Sequence, residues 1–145
     1  MNAYADTGFL VSLHTPDAHT ARVLARMKRQ RQPLPFNGLH RLEFRNALRL
    51  RVFRKEITAE QRELSVSAML SDLANEVFVF ADVKWPDVLM EAERLGAQHS
   101  EQLGTRSLDI LHVAAALVLG CDEFLTFDHR QAALAAAAGL HMAKL

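Results

Sequence analysis

The chain is short of thiols, of long apolar runs and of net charge, and each shortage removes a class of explanation. Cys121 is the single cysteine among 145 residues, so no internal disulfide can form and no thiolate cluster can hold a metal. It stands beside a glycine at the end of an apolar stretch, where a buried, inert thiol is expected. The longest apolar run, Val113 to Leu119, falls far short of the ~20 residues that cross a bilayer. No basic segment followed by an apolar run stands at the N-terminus, so no secretory leader is expected and the expected location is cytoplasmic. No repeat, low-complexity tract or linker interrupts the chain. The length suits one domain, residues 1–145, and half of the residues are hydrophobic, enough for a core.

The zero net charge conceals an uneven distribution. From Arg22 to Lys55 there are eleven Lys or Arg and one acid, Glu43. From Glu56 to Asp128 there are fourteen acids and four basic residues. The basic segment is suited to a polyanion and the acidic one to a cation. The plainer alternative is two solvated sets of helix faces that pair with each other.

Short apolar strands alternate with helices. Strands are expected at Asn2 to Asp6, Leu34 to Phe36, Glu76 to Phe80 and Phe124 to Phe127, with an edge strand within Leu140 to Leu145. Helices are expected over Gly8 to Leu13, His19 to Gln30, Leu39 to Lys55, Thr58 to Ala74, Trp85 to Gln98 or Leu103, from Ser107 to the Gly120-Cys121 turn, and over His129 to Ala138. On the third of these Leu39, Leu42, Ala47, Leu50 and Phe53 keep approximate helical spacing. Thr58 and Gln61 form a capping-box pattern. The alternation predicts an α/β fold with a mainly parallel central sheet between helical layers.

In such a sheet the strands end on one edge, where ligands bind. Asp6 ends the first strand, Asp128 follows the Phe124 strand, Asp109 lies in the first turn of its helix and Glu43 in the first turns of the basic helix. All four are therefore expected at the same edge. Each also has an ordinary structural reading: Asp109 favours the helix dipole, Asp128 and Asp6 are helix caps, and Glu43 is an ion-pair partner for arginine. Four gathered carboxylates repel one another, and a hard divalent cation relieves that repulsion. Mg²⁺ or Mn²⁺ would allow hydrolysis of a phosphodiester without a Ser, Cys or His nucleophile, and no convincing arrangement of such nucleophiles is present. The seven histidines lack zinc spacing. His112, three residues after Asp109, reads as a packed or hydrogen-bonded helix residue.

The segments AYADTGFLVSL, LEFRNALRLR, RSLDILHVAAALVLGCDEFLTFDHRQ and AAAAGLHM, which run over nearly the whole chain, resemble the PIN domain, and within it the VapC-like toxins of bacterial toxin–antitoxin pairs. The resemblance implies a three-layer α/β/α PIN-like domain and a Mg²⁺- or Mn²⁺-dependent endoribonuclease that dimerises. It also implies a cognate antitoxin protein, which inhibits by inserting a peptide over the acidic cleft. Asp6 matches the first metal-binding acid and Asp109 the second principal ligand. Glu43 matches the acid of the family's E-x-x-N-A-L helix, with Asn46 in place, and Asp128 the acid of the T-x-D segment, with Thr126 as polar support. Gly8 departs from the serine that often follows D-T in the family, so position 8 receives no role. Arg45 and Arg49 are the candidates for contact with RNA phosphates.

Two rival functions remain. One is a PIN-like module that binds RNA or protein without cutting. The other is a different Mg²⁺ enzyme, a phosphatase or phospho-acceptor domain. That class needs a second acid beside the strand-end Asp or a lysine at the same edge; Thr7 and Gly8 follow Asp6, and the lysines are only Lys28, Lys55, Lys84 and Lys144.

Overall fold

The computed structural model describes residues 2–145. In chain order the elements are β1 (Ala3–Ala5), α1 (Thr7–His14), α2 (Thr20–Met27), β2 (Leu34–Phe36), α3 (Gly38–Phe53), α4 (Ala59–Ala74) and β3 (Phe78–Phe80). They continue with α5 (Trp85–Leu103), α6 (Ser107–Val118), β4 (Glu123–Leu125), α7 (His129–Ala137) and β5 (His141–Met142). Among the described residues every strand pair is parallel, as the alternation of apolar strands and helices predicts. Among the same residues no helix is long and apolar enough to cross a membrane. The contacts group into two compact units.

The first unit holds β1 and residues 82–145. Its sheet has the order β1-β4-β5. Ala3 pairs with Glu123, Tyr4 with Phe124 and Ala5 with Leu125. All three residues of β1 are buried, which is why this strand reads as continuously apolar rather than alternating. Tyr4 stacks on Phe124 with ring centroids 5.7 Å apart. On α6, Val113, Ala114, Ala115 and Ala116 have no exposed surface; side chains this small let the helix approach its neighbours closely. Pro86 sits in the first turn of α5, where its missing N–H costs nothing. Gly104 ends that helix at φ +64°, a conformation that a Cβ disfavours.

The second unit is Thr7–Ala81, with β2 and β3 paired from Leu34–Phe78 to Phe36–Phe80. Two capping boxes start its long helices. The Thr58–Gln61 box forms as its sequence predicts. The second box is built from Asn37 and His40: Asn37 Oδ1 accepts from the N–H groups of Leu39 and His40, and His40 Nδ1 accepts from Asn37 N–H at 3.1 Å. Asn37-Gly38 is thus a helix start, one residue earlier than the expected boundary. His14 bridges α1 and α4 through Asp72, Nε2 to Oδ2 at 2.8 Å.

Several expected details differ. On α3 the buried stripe is His40, Phe44 and Leu48, together with Leu39, whereas Leu42, Leu50 and Phe53 are exposed. The four-residue spacing of His40, Phe44 and Leu48 defines the inward face, and the polar character of His40 hid it. On α2, whose expected apolar stripe is Ala21, Val23, Leu24 and Met27, only Val23 is buried. The strand expected from Glu76 begins at Phe78, because Glu76 turns the chain with φ +57°. The strand expected to reach Phe127 ends at Leu125, because the next residue uses its side chain for a different purpose.

Candidate active site

That residue is Thr126. Its hydroxyl donates to Asp6 Oδ2 and accepts the Asp128 backbone N–H at 2.9 Å. Asp6 extends the β1–β4 ladder by one bond, its N–H donating to the carbonyl of Leu125 at 3.0 Å. The ends of two adjacent parallel strands therefore bring an aspartate, a threonine and the start of a helix together. Asp6 is only 7% exposed and Thr126 8%, so the hydroxyl is a substantial part of the carboxylate's solvation.

Asp128 is the N-cap of α7, its Oδ1 accepting from Gln131 N–H at 2.8 Å. The capping reading of this residue is correct, and it leaves Oδ2 directed elsewhere. Asp109 lies in the first turn of α6. Arg106, at the N-cap position of that helix, donates from Nε to Asp109 Oδ2 at 3.0 Å, and its Nη2 lies 3.9 Å from Asp128 Oδ2. One guanidinium thus spans two of the expected acids. The hydrogen bond to Asp109, and then the charge of Asp109, raise the Arg106 pKa; partial burial works against them, and the charge of Asp128 adds least. Arg106 is 71% exposed at its side chain, so the link is readily exchanged with solvent.

Gln131 is buried and donates from Nε2 to the backbone carbonyl of Asp109 at 3.3 Å. This ties α7 to the turn that carries Asp109. Its Oε1 is buried without a hydrogen-bond partner. His112 is the packed helix residue expected of it: its Nδ1 meets the Tyr4 hydroxyl at 3.0 Å, and both side chains are buried.

Glu43 belongs to the second unit, on α3. Its Oε1 accepts from the Thr7 hydroxyl at 3.0 Å, and Thr7 follows Asp6 in the chain. Asn46 is exposed on the same helix. Arg45 and Arg49 line two adjoining cavities of this unit. One, of about 110 Å³, is shared with Arg62, Glu63 and Val66. The other, of about 270 Å³, is shared with Gly38, Arg41 and Leu42.

Among the described residues no group of three or more His, Cys, Asp or Glu side chains is gathered closely enough to hold a metal ion. Asp6, Asp109 and Asp128 are instead linked through a hydroxyl and a guanidinium. The donor chemistry nonetheless fits a hard divalent cation: the candidate donors are carboxylate oxygens, a cationic group already spans two of them, and Gln131 Oε1 is a buried oxygen acceptor lacking a partner. Arg106 and Gln131 were not singled out by sequence reasoning. Arg106 carries a signal, since an arginine three residues before Asp109 has ion-pair spacing. The only trace of Gln131 is its place three residues after Asp128, the polar position of a capping pattern.

The PIN domain family matches residues 3–137. Among solved structures the fold is similar to that of VapC20 from Mycobacterium tuberculosis, described as a sarcin-ricin loop cleaving toxin. The TM-score is 0.69 over 95% of each chain, at 18% sequence identity. No curated protein matches significantly in sequence. The parallel α/β architecture with its order β1-β4-β5 is that of the three-layer α/β/α PIN fold. The chain belongs to the PIN domain family.

Proposed function

We propose that the chain is a single-domain, VapC-like endoribonuclease, the toxin of a toxin–antitoxin pair, that hydrolyses RNA phosphodiester bonds with a divalent cation. The observation that carries this reading is the join at the strand ends, where Thr126 holds the Asp6 carboxylate and the Asp128 N–H with one hydroxyl. A hydroxyl that joins the Asp6 carboxylate to the backbone N–H of Asp128, at the edge where parallel strands end, is suited to orienting ligands rather than to filling a core. The PIN family match supports it, as does the fold likeness to a toxin described as cleaving the sarcin-ricin loop.

Asp6 and Asp109 would be the direct ligands of Mg²⁺ or Mn²⁺, with Asp128 as the third acid of their unit. When bound, such a cation would supply Lewis-acid polarisation of a phosphoryl group and a lowered pKa of bound water. The chain's own residues do the rest. Thr126 fixes the rotamer of Asp6. The α7 N-cap holds Asp128 in place. Gln131 anchors the Asp109 turn through its carbonyl. Arg106, exposed and cationic, can exchange its carboxylate partners for a substrate phosphate. Thr7 orients Glu43, and Asn46 is its polar neighbour one helical turn on. A homodimer, a cognate antitoxin protein and a cytoplasmic location belong to the same proposal.

The test is cleavage of structured RNA by purified protein with Mn²⁺, followed by sequencing of the product ends. Wild type is expected to give discrete ends, and Asp6→Asn and Asp109→Asn to leave the RNA full length. RNA that wild type binds but leaves intact would identify a non-cleaving binding module. Undiminished cleavage by both variants would remove the acids from the mechanism.

A further inference from the structure

The second unit contains a run of guanidinium groups that the acidic residues leave unused. Arg41, Arg45 and Arg49 follow one another at four-residue spacing on α3, each step rising ~6 Å along one side of the helix. Arg62 of α4 closes the far side of the smaller cavity with Glu63 and Val66. The only carboxylate there, Glu63, is already committed to Arg62, Oε1 to Nη2 at 2.9 Å. The larger cavity continues along Arg41, Leu42 and Gly38, and Arg45 and Arg49 form the wall common to both. Arg45 Nε is buried and has no hydrogen-bond partner. A buried N–H of a permanently charged group without an acceptor is costly.

The position of this run relative to Glu43 decides its role. Arg45 is two residues from Glu43, hence ~200° around the helix. Arg41 is offset by the same angle in the other direction. The arginines therefore occupy the side of α3 opposite the carboxylate. A phosphate held there is not the one that a group acting with Glu43 would cleave.

We propose that the Arg41–Arg45–Arg49 stripe with Arg62 is an accessory seat for the RNA phosphate backbone, engaging phosphates away from the bond that is cut. This rests on the ribonuclease reading for the identity of the polyanion. Planar guanidinium forks match phosphate oxygens in pairs. A series of them at regular intervals suits a repeating polyanion better than a single anionic metabolite. Occupancy of this kind is electrostatic and independent of base sequence.

The test uses the full chain carrying Asp109→Asn, so that binding is read without cleavage. Fluorescence anisotropy follows labelled polyuridylate and a labelled uridylyl dinucleotide. Replacing Arg45, Arg49 and Arg62 together by Gln is expected to weaken polyuridylate binding by about tenfold or more at moderate salt, and to flatten the log–log salt dependence by ~2, at ~0.7 per phosphate contact. Dinucleotide binding should hardly change. Lys28, Lys84 and Lys144, all exposed, are replaced by Gln as a control of equal charge that should alter the slope far less. The single variants Arg49→Gln and Arg62→Gln do not disturb the buried Arg45 Nε and should each show part of the loss if the fold is intact. Equal loss in the lysine control, or polyglutamate competing as well as polyuridylate, would overturn the proposal. Because binding is measured apart from cleavage, an RNA that binds here but is never cut by wild type refutes the ribonuclease reading alone.

Discussion

Replacing Thr126 by Val isolates the contact at the centre of the candidate site. Valine keeps the branched shape and exchanges the hydroxyl for a methyl. Two hydrogen bonds are lost: one to the Asp6 carboxylate and one from the Asp128 N–H. The first has a charged acceptor and contributes ~1.5–3 kcal/mol, the second ~0.5–1.5 kcal/mol. The added methyl returns at most ~0.8 kcal/mol. The net loss is about 2–3 kcal/mol, because Asp6 and Thr126 are nearly inaccessible to water, which cannot take over the bonds. For a chain of this length that is roughly 8–12 °C in Tm. Thr126→Ser retains the hydroxyl and should recover most of the loss. Urea and thermal unfolding read the stability. Cleavage of RNA at a temperature where both variants are folded reads the positioning role, with a fall of ~10–100-fold expected for Val and little for Ser. A Val variant that melts within ~2 °C of wild type and cleaves normally would show that the hydroxyl holds neither acid.

Two further perturbations probe the same unit. Arg106→Gln should leave stability within ~0.5 kcal/mol, as for an exposed ion pair, while calorimetric titration finds tighter Mn²⁺ binding because Asp109 and Asp128 lose their guanidinium partner; unchanged or weaker binding would contradict the counter-cation role. Burial, with the charge of Asp122 adding to it, raises the Cys121 pKa from 9.0 to about 11. The folded chain therefore keeps this proton where the unfolded chain releases it, and the contribution is full below pH 9.0 and lost as pH rises toward about 11. The stability difference between wild type and Cys121→Ala should shift in that window, and a flat difference would refute the buried-thiol assignment.

Much of the architecture was legible because local chemistry and tertiary context agree. The apolar runs at Ala3 to Ala5 and Leu34 to Phe36 are strands, and the Thr58 capping box forms as written. Where they disagree, polar residues are the cause. His40 lies in the buried stripe of α3 because its ring also closes a cap. Exposed Leu42 and Phe53 imitate an inward stripe that the helix does not use. At the site, residue types and their places at strand ends and helix starts were readable, whereas the partners were not. Arg106 and Gln131 are ordinary in sequence and acquire meaning only from the carboxylate and carbonyl they reach.

The sequence by itself determined the α/β alternation, the family, and the acids Asp6, Glu43, Asp109 and Asp128 as candidates, since periodicity, capping and motif spacing are local properties of the chain. Tertiary structure decided how those acids are held. Pairing of β1 with β4 brings residues 6 and 126 within one hydrogen bond across 120 positions of sequence. The starts of α6 and α7 lie close enough for one guanidinium to serve both Asp109 and Asp128. Such choices depend on distances between segments remote in the chain, which no local pattern encodes.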